Sequence, residues 1–177
     1  MDRRNLLYVG AAAVAGLAGV GVAWLKYDPQ KLTAGQTSAA QDALWAMSFD
    51  TPDGQPKPMS SFRGKPLLLN FWATWCPPCV EELPLLDAFY QEQKAKGWQV
   101  LGLAVDQPSA VRKWLQAKPL GFAVGMAGLN GTELSKSMGN LAGSLPFTAV
   151  FGASGALLHR KTGKLSKEDL MQWAELK

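Results

Sequence analysis

The two cysteines of the chain, Cys76 and Cys79, are the residues best suited to chemistry, and no other cysteine occurs. They lie in the stretch FWATWCPPCVEELP (71–84), separated by Pro77 and Pro78. Such a pair can form a structural disulfide, supply half of a metal site, or open and close as a redox couple. A disulfide across two residues closes a very small loop and removes little entropy from the unfolded chain. The spacing therefore favours redox chemistry over a structural role.

The position of the pair predicts different roles for its two sulfurs. The apolar spacing after Cys79 predicts a helix over 79–96, so Cys76 stands where that helix begins. Unpaired N–H groups and the positive end of the helix dipole stabilise a thiolate there. We expect Cys76 to attack a disulfide. Cys79, one turn inside the helix and shielded, would then attack the mixed disulfide.

A metal site is the main alternative for the same cysteines. A closed zinc site needs about four ligands, whereas the chain offers two cysteines and one histidine, His159. Copper could use Cys76, Cys79 and His159, but His159 lies in ALLHRK and is more simply an exposed strand residue. We expect no metal and no other cofactor. A copper carrier or non-catalytic binding module remains the alternative function.

The N-terminus predicts export. No charged residue occurs from Leu6 to Leu25, which is long enough as a helix to cross a hydrocarbon layer of ~30 Å. An uncleaved anchor within 1–26 is favoured over a signal peptide cut after Ala23. Arg3 and Arg4 precede the span, which predicts a cytoplasmic N-terminus and a domain in the periplasm, anchored to the inner membrane. Cleavage would instead give a soluble periplasmic protein, and the arginine pair leaves twin-arginine export open.

Composition and charge bound the remaining classes of function. The chain has 177 residues, of which 47% are hydrophobic and 18% charged, as expected of a single folded domain. Its formal net charge is +4, and the basic residues form scattered pairs such as Arg112–Lys113. This distribution gives no sign of a nucleic-acid-binding patch.

The middle of the chain predicts a linker followed by an α/β domain. Residues 27–42 lack periodicity and are predicted to be a linker, with the domain over 43–177. The apolar stretch 44–49 and the turn-forming TPDGQP (51–56) predict an N-terminal β-hairpin. Strands are predicted at 66–73, 98–105, 147–151 and 156–160, and helices at 79–96, 108–118, 131–139 and 166–176, the last capped by Ser166.

The order of these elements is that of a thioredoxin fold: a strand, Cys-x-x-Cys opening a helix, another strand, and a proline before a terminal hairpin and helix. The stretch NFWATWCPPCVEELP resembles the active-site segment of the TlpA/ResA-like membrane-anchored thiol-disulfide oxidoreductases. The resemblance covers about 43–176. It implies exchange with protein disulfides outside the cytoplasm, in cytochrome c maturation or oxidase assembly. It also implies a membrane electron donor of the DsbD/CcdA kind.

The resemblance also draws attention to Glu82. It follows Cys79 by three residues on the predicted helix and could relay the proton that Cys79 loses or gains. A glutamate before Leu-Pro has that role in the family, although an ordinary surface carboxylate is the alternative, as expected for Glu81. Thioredoxin carries a buried aspartate where this chain has Asn70, which cannot take up a proton.

A second implied feature is Pro146 in GSLPFT (143–148). Thioredoxin-like folds place a cis peptide bond here, so Leu145–Pro146 is predicted to be cis and to help bind substrate, together with Trp75 and the two prolines between the cysteines. Heme-maturation members often carry an acidic residue after this proline, whereas this chain has Phe147. That difference weakens a direct assignment to cytochrome c maturation.

The two prolines predict the direction of electron flow. Pro77 and Pro78 lack N–H groups, so they donate no hydrogen bond to the Cys76 thiolate. A less stabilised thiolate makes the dithiol a stronger reductant, which favours a reductase. A peroxidase of the peroxiredoxin type is a further alternative, but it would require Thr-x-x-Cys where the chain has Thr74-Trp75-Cys76.

Overall fold

The computed structural model describes residues 34–176. The predicted anchor or signal segment (1–26) and the first part of the predicted linker lie outside these residues. None of the helices within 34–176 is both long and apolar enough to span a membrane. Five α-helices occur in this part of the chain: α1 (Ala34–Ala46), α2 (Pro77–Gln93), α3 (Pro108–Ala117), α4 (Gly131–Ser137) and α5 (Lys167–Ala174).

Seven strands form one sheet within the described residues: β1 (Ser48–Asp50), β2 (Pro56–Pro58), β3 (Leu67–Trp72), β4 (Gln99–Ala104), β5 (Ala123–Met126), β6 (Phe147–Phe151) and β7 (Leu157–Thr162). Their spatial order is β2-β1-β5-β4-β3-β6-β7. Strands β3, β4 and β5 are parallel, whereas β1, β6 and β7 each pair antiparallel with a neighbour. Strand β3, which leads into the two cysteines, is therefore central.

The central strands are mostly apolar because helices cover both faces of the sheet. All six residues of β3 and all five of β6 are buried. One face carries the cluster that contains both cysteines, with α2, Val111 of α3 and α5. The other face packs against α1 and the short 3-10 helix Met59–Phe62. The sheet thus fixes the strand end from which the cysteine motif begins.

Helix α2 follows the predicted spacing closely. Its buried residues recur every three to four positions, as a helix lying on a sheet requires, and are Cys79, Glu82, Leu83, Leu86 and Phe89. Pro77 stands at the first helical position, where a missing N–H costs nothing. A 3-10 turn, Lys94–Lys96, and Gly97 in a left-handed conformation (φ 96°) end the helical segment.

The C-terminal helix also begins as predicted. The Ser166 hydroxyl accepts from the Asp169 N–H, and the Asp169 carboxylate accepts from the Ser166 N–H, which forms a capping box. Lys161 of β7 forms an ion pair with the same carboxylate. These contacts tie the start of α5 to the edge of the sheet.

Two predictions about secondary structure are wrong. Residues 34–42, predicted as linker, and 44–46, predicted as strand, form α1. The helix is held by long-range contacts: Trp45 is buried and donates from Nε1 to the Gly155 carbonyl at 3.0 Å, and Gln41 Oε1 accepts from the Leu157 N–H. Strand β5 was not predicted at all. The N-terminal β-hairpin is confirmed, although its first strand begins at Ser48.

Candidate redox site

Cys76 and Cys79 are joined by a disulfide at the start of α2, with their Cα atoms 5.3 Å apart. Cys76 is the N-cap residue, and its carbonyl accepts from the N–H groups of Cys79 and Val80. Cys76 is 5% exposed and Cys79 is 0% exposed. The cysteine predicted to attack is thus the more accessible residue of the two.

The surface around Cys76 is apolar. Trp75, directly before it, is 65% exposed, although burial of so large a side chain would be favourable. Pro77 is exposed and Pro78 is partly exposed. Three of the predicted substrate-binding residues therefore present surface next to Cys76.

The peptide bond between Leu145 and Pro146 is cis, as predicted. Leu145 packs against the apolar cluster that includes both cysteines. Strand β6 begins immediately after Pro146, and Phe147 pairs with Phe71 of β3. The fold thus brings this loop to the strand end that carries the cysteine motif.

Glu82 is completely buried, which excludes the alternative of a surface carboxylate. Its Oε1 accepts from Asn70 Nδ2 at 2.8 Å, and its Oε2 accepts from the Leu165 N–H at 2.7 Å. Burial raises the pKa of Glu82 above its usual value. The hydrogen bonds from Leu165 and Asn70, and the charges of Lys164 and Lys161, oppose that rise without cancelling it. Such a carboxyl can exchange a proton nearer to neutral pH than an exposed one.

Asn70 connects Glu82 to the neighbouring strand. Its Nδ2 also donates to Thr148 Oγ1 at 3.0 Å, and the two residues are direct partners across β3 and β6. Among residues 34–176, no group donates to the buried Asn70 Oδ1. Glu82, Asn70 and Thr148 form a buried polar cluster, which we call the polar trio.

Two other predicted positions lie away from this cluster. Glu81 is exposed and forms an ion pair with Lys164 at 2.7 Å, the surface role expected of it. His159 is exposed on β7, with its ring 5.6 Å from that of Trp173. Within the described part of the chain, no three histidine, cysteine or acidic side chains cluster as metal ligands would, so His159 does not join the cysteines.

Sequence reasoning missed two polar residues that organise the site. Asp106 follows β4 and accepts from the backbone N–H and the hydroxyl of Thr74, two residues before Cys76. Asn140 is 1% exposed and donates to Ser135 Oγ and to the Ser144 carbonyl, which fixes the loop before Leu145. The available signal for Asp106 was its place at the carboxyl end of a parallel strand, where functional side chains collect.

Comparisons with known proteins place this site in a family. Residues 37–174 match the Redoxin family. The thiol-disulfide oxidoreductase ResA of Bacillus thuringiensis subsp. konkukian is 30% identical over 122 residues, covering 68% of each chain. ResA of Geobacillus thermodenitrificans is 30% identical over 124 residues, covering 70% of this chain and 69% of its own.

Solved structures give the same result. A thiol:disulfide interchange protein of the thioredoxin family from Chlorobium tepidum superposes with a TM-score of 0.63 at 30% identity, over 73% of this chain and 90% of its own. MTB dsbF superposes with a TM-score of 0.64 at 25% identity, over 76% and 95%. The chain therefore belongs to the Redoxin family and is a ResA-like thiol-disulfide oxidoreductase of the thioredoxin superfamily.

Proposed function

We propose that this oxidoreductase works as a reductase of protein disulfides outside the cytoplasm, with Cys76 as the attacking residue. The observation that carries the proposal is the arrangement at the start of α2. Cys76 caps the helix beside the exposed Trp75, while Cys79 is fully buried one turn further on. An incoming disulfide can approach Cys76 but not Cys79.

The reaction transfers two electrons from the dithiol to the substrate. The Cys76 thiolate attacks one sulfur of the substrate disulfide, forms a mixed disulfide and releases a substrate thiolate. The Cys79 thiolate then attacks the Cys76 sulfur and releases the second substrate thiolate. The two protons of the dithiol end on the substrate thiols, and the enzyme is left with the Cys76–Cys79 disulfide.

Glu82 is proposed as the group that accepts and returns the Cys79 proton. It follows Cys79 by three residues on α2, so the two side chains share a helix face. Burial raises the pKa of its carboxyl, which brings the carboxyl closer to a thiol in proton affinity. Asn70 and the Leu165 N–H hold the carboxylate in place.

The first two helical positions support the direction of transfer. Pro77 and Pro78 occupy them, so neither offers an N–H to the Cys76 thiolate. The reduced form loses that stabilisation, and its reducing power increases. We expect a reduction potential nearer to the thioredoxin value, about −270 mV, than to the DsbA value, about −120 mV.

Location and partners are part of the proposal. The uncharged stretch from Leu6 to Leu25 supports an inner-membrane anchor with the domain in the periplasm. The family resemblance supports a membrane electron donor of the DsbD/CcdA kind and substrates in cytochrome c maturation or oxidase assembly. Phe147 stands where heme-maturation members often carry an acidic residue, so oxidase assembly is the better supported of the two.

Two measurements on the purified full-length chain test the catalytic proposal. Cys76→Ser should lower insulin disulfide reduction to background, whereas Cys79→Ser should accumulate a mixed disulfide on Cys76. Turnover retained by Cys76→Ser would remove it as the nucleophile. Equilibration with glutathione and dithiothreitol buffers should give a potential near the thioredoxin value, and one above about −180 mV would indicate an oxidase.

Cell fractionation tests the location. The full-length protein should stay with membranes through carbonate extraction. A soluble product that begins near Trp24 would show that the segment is a cleaved signal peptide.

A further inference from the structure

Asp106 accepts three hydrogen bonds although it lies outside the cysteine motif. Its Oδ2 accepts from the Thr74 N–H at 2.8 Å and from Thr74 Oγ1 at 2.6 Å, and its Oδ1 accepts from the Gln107 N–H at 2.7 Å. The carboxylate therefore joins the turn before Cys76 to the first residues before α3. We infer that Asp106 is a positioning residue of the redox site, which fixes the Cys76 turn and makes the dithiol a stronger reductant.

The sheet places Asp106 at this turn. Strands β3 and β4 are parallel and in register, with Trp72 beside Ala104, and the Val105 N–H donates to the Trp72 carbonyl at 2.8 Å. Thr74 and Asp106 each lie two residues beyond that last pair. The hydrogen bonds between Asp106 and Thr74 therefore hold the two chain segments side by side beyond the ends of the strands. The Asp106 side chain does there what backbone hydrogen bonds do within the sheet.

The turn that Asp106 holds is the one that presents the nucleophile. It runs from Ala73 to Cys76, closed by a hydrogen bond from the Cys76 N–H to the Ala73 carbonyl at 3.3 Å. Thr74 lies inside this turn and is bound through both its backbone and its side chain. Because Trp75 is mostly exposed, the conformation of the turn decides where its indole stands. Asp106 thus fixes the surface that a substrate disulfide meets.

The charge of Asp106 has a separate effect on the Cys76 sulfur. Asp106 binds Thr74, which is two residues before Cys76. A carboxylate at this place disfavours a second negative charge, that of the Cys76 thiolate. The disulfide carries no such charge, so only the reduced form is destabilised. The effect therefore adds to that of the two prolines. This inference rests on the proposed role of Cys76. Its test compares a variant with the unmodified protein, so it does not depend on the absolute reduction potential.

Asp106→Asn tests the inference because it removes the charge and keeps the size of the side chain. Iodoacetamide reacts with the thiolate, so the rate of alkylation increases with pH. We expect the pH at which Cys76 reacts at half of its maximal rate, which we call its midpoint pH, to fall. The equilibrium constant with glutathione should shift about tenfold towards the dithiol, which is about 30 mV. Glu81→Gln is the matched control, since it also removes one carboxylate near the cysteines but from an exposed ion pair. It should change the constant less than twofold.

Thr74→Val provides a second test that does not depend on the folding of Asp106→Asn. It removes the hydroxyl donor to Asp106 Oδ2 and leaves the carboxylate in place. The negative charge of Asp106 is then stabilised by one hydrogen bond fewer and acts more strongly on the Cys76 thiolate. The midpoint pH of Cys76 should rise. The KM for a protein disulfide should also increase, because the turn is held by fewer hydrogen bonds.

The outcomes separate the inference from the proposed function. Asp106→Asn could behave like Glu81→Gln in both the midpoint pH and the equilibrium constant with glutathione, or Thr74→Val could lower the midpoint pH. Either result would show that Asp106 has only a structural role and that the inference is wrong. Failure of the proposed function would be seen elsewhere, in activity of Cys76→Ser or in an oxidising potential of the unmodified protein.

Discussion

The two faces of the central sheet are made from alternate residues of the same strands, yet they differ in chemistry. From β3, Leu67, Leu69 and Phe71 enter the apolar cluster on the face of α1. On the opposite face, Asn70 of β3 and Thr148 of β6 are polar and fully buried. The face that carries the cysteines is thus also the face that carries the polar trio.

This difference shows how the fold accommodates an ionisable carboxyl in its interior. A buried polar group is costly unless it is hydrogen-bonded. Glu82 accepts from Asn70 and Leu165, and Thr148 accepts from Asn70, so each member of the trio has a partner, although Asn70 Oδ1 receives no hydrogen bond from residues 34–176. Leu67 and Leu69 of β3, on the opposite face, are apolar, need no such partners and can serve stability alone. Substitutions on the two faces should therefore separate stability from catalysis.

The largest effect on stability is expected for Leu67→Ala, on the face of α1. Leu67 is completely buried and lies at the end of β3 away from the cysteines, where it pairs with Phe151 of β6. Its truncation should lower the free energy of unfolding by about 2–5 kcal/mol, measured by urea denaturation. Insulin reduction per folded molecule should stay within about twofold of the unmodified protein. A larger loss in fully folded protein would show that this face also supports catalysis.

A smaller effect, and one that depends on pH, is expected for Glu82→Gln. Because burial raises the pKa of Glu82 in the folded state, the folded protein binds a proton that the unfolded chain has released. The contribution of Glu82 to stability is therefore present below its unfolded pKa and is lost as the pH rises through the folded pKa. Glutamine does not ionise, so the variant avoids this loss of stability. The loss amounts to about 1.4 kcal/mol for each unit by which the folded-state pKa exceeds the unfolded-state pKa.

The measurement is urea denaturation at several pH values, paired with titration of the cysteine thiols. Glu82→Gln should gain stability relative to the unmodified protein as the pH increases from 4 to 7, and its thiol titration should change. Glu81→Gln, one residue away but exposed, is the control and should do neither. Identical pH profiles for the two variants would contradict a special role for the buried carboxyl.

The smallest effect is expected for Thr148→Val, which removes only the acceptor for the second Asn70 hydrogen bond. The shape is nearly kept, so the free energy of unfolding should fall by about 1 kcal/mol. The thiol titration should shift in the same sense as in Glu82→Gln but less. A thiol shift larger than that of Glu82→Gln would place the main proton-binding group elsewhere.

The parts of the site that are encoded locally could be predicted from the sequence. Cys76 and Cys79 are fixed by their spacing, and the Ser166 cap needs only its own turn. The burial of Glu82 was also within reach, since it shares a helix face with Cys79 and Leu86. Glu81, one position earlier, faces solvent for the same reason.

The features that depend on distant pairing could not be predicted in this way. Strand β5 has four residues, too few for a pattern, and is defined by its neighbours β4 and β1. Helix α1 lacks a clear apolar stripe and is held by contacts of Trp45 and Gln41 with the β6–β7 turn. The Asp106–Thr74 bond exists only because β3 and β4 lie in register.

The N-terminal hairpin has a further consequence for how the molecule behaves among copies of itself. Within the described residues it places β2 at one end of the sheet, so the parallel strand β5 is covered. An uncovered strand edge is a template for pairing with another chain. Two of the three residues of β2 are Pro56 and Pro58, which have no N–H to donate, and Lys57 lies between them. The hairpin thus ends one side of the sheet with a strand that another chain cannot extend by a continuous hydrogen-bond ladder, which protects this edge from pairing with a second copy.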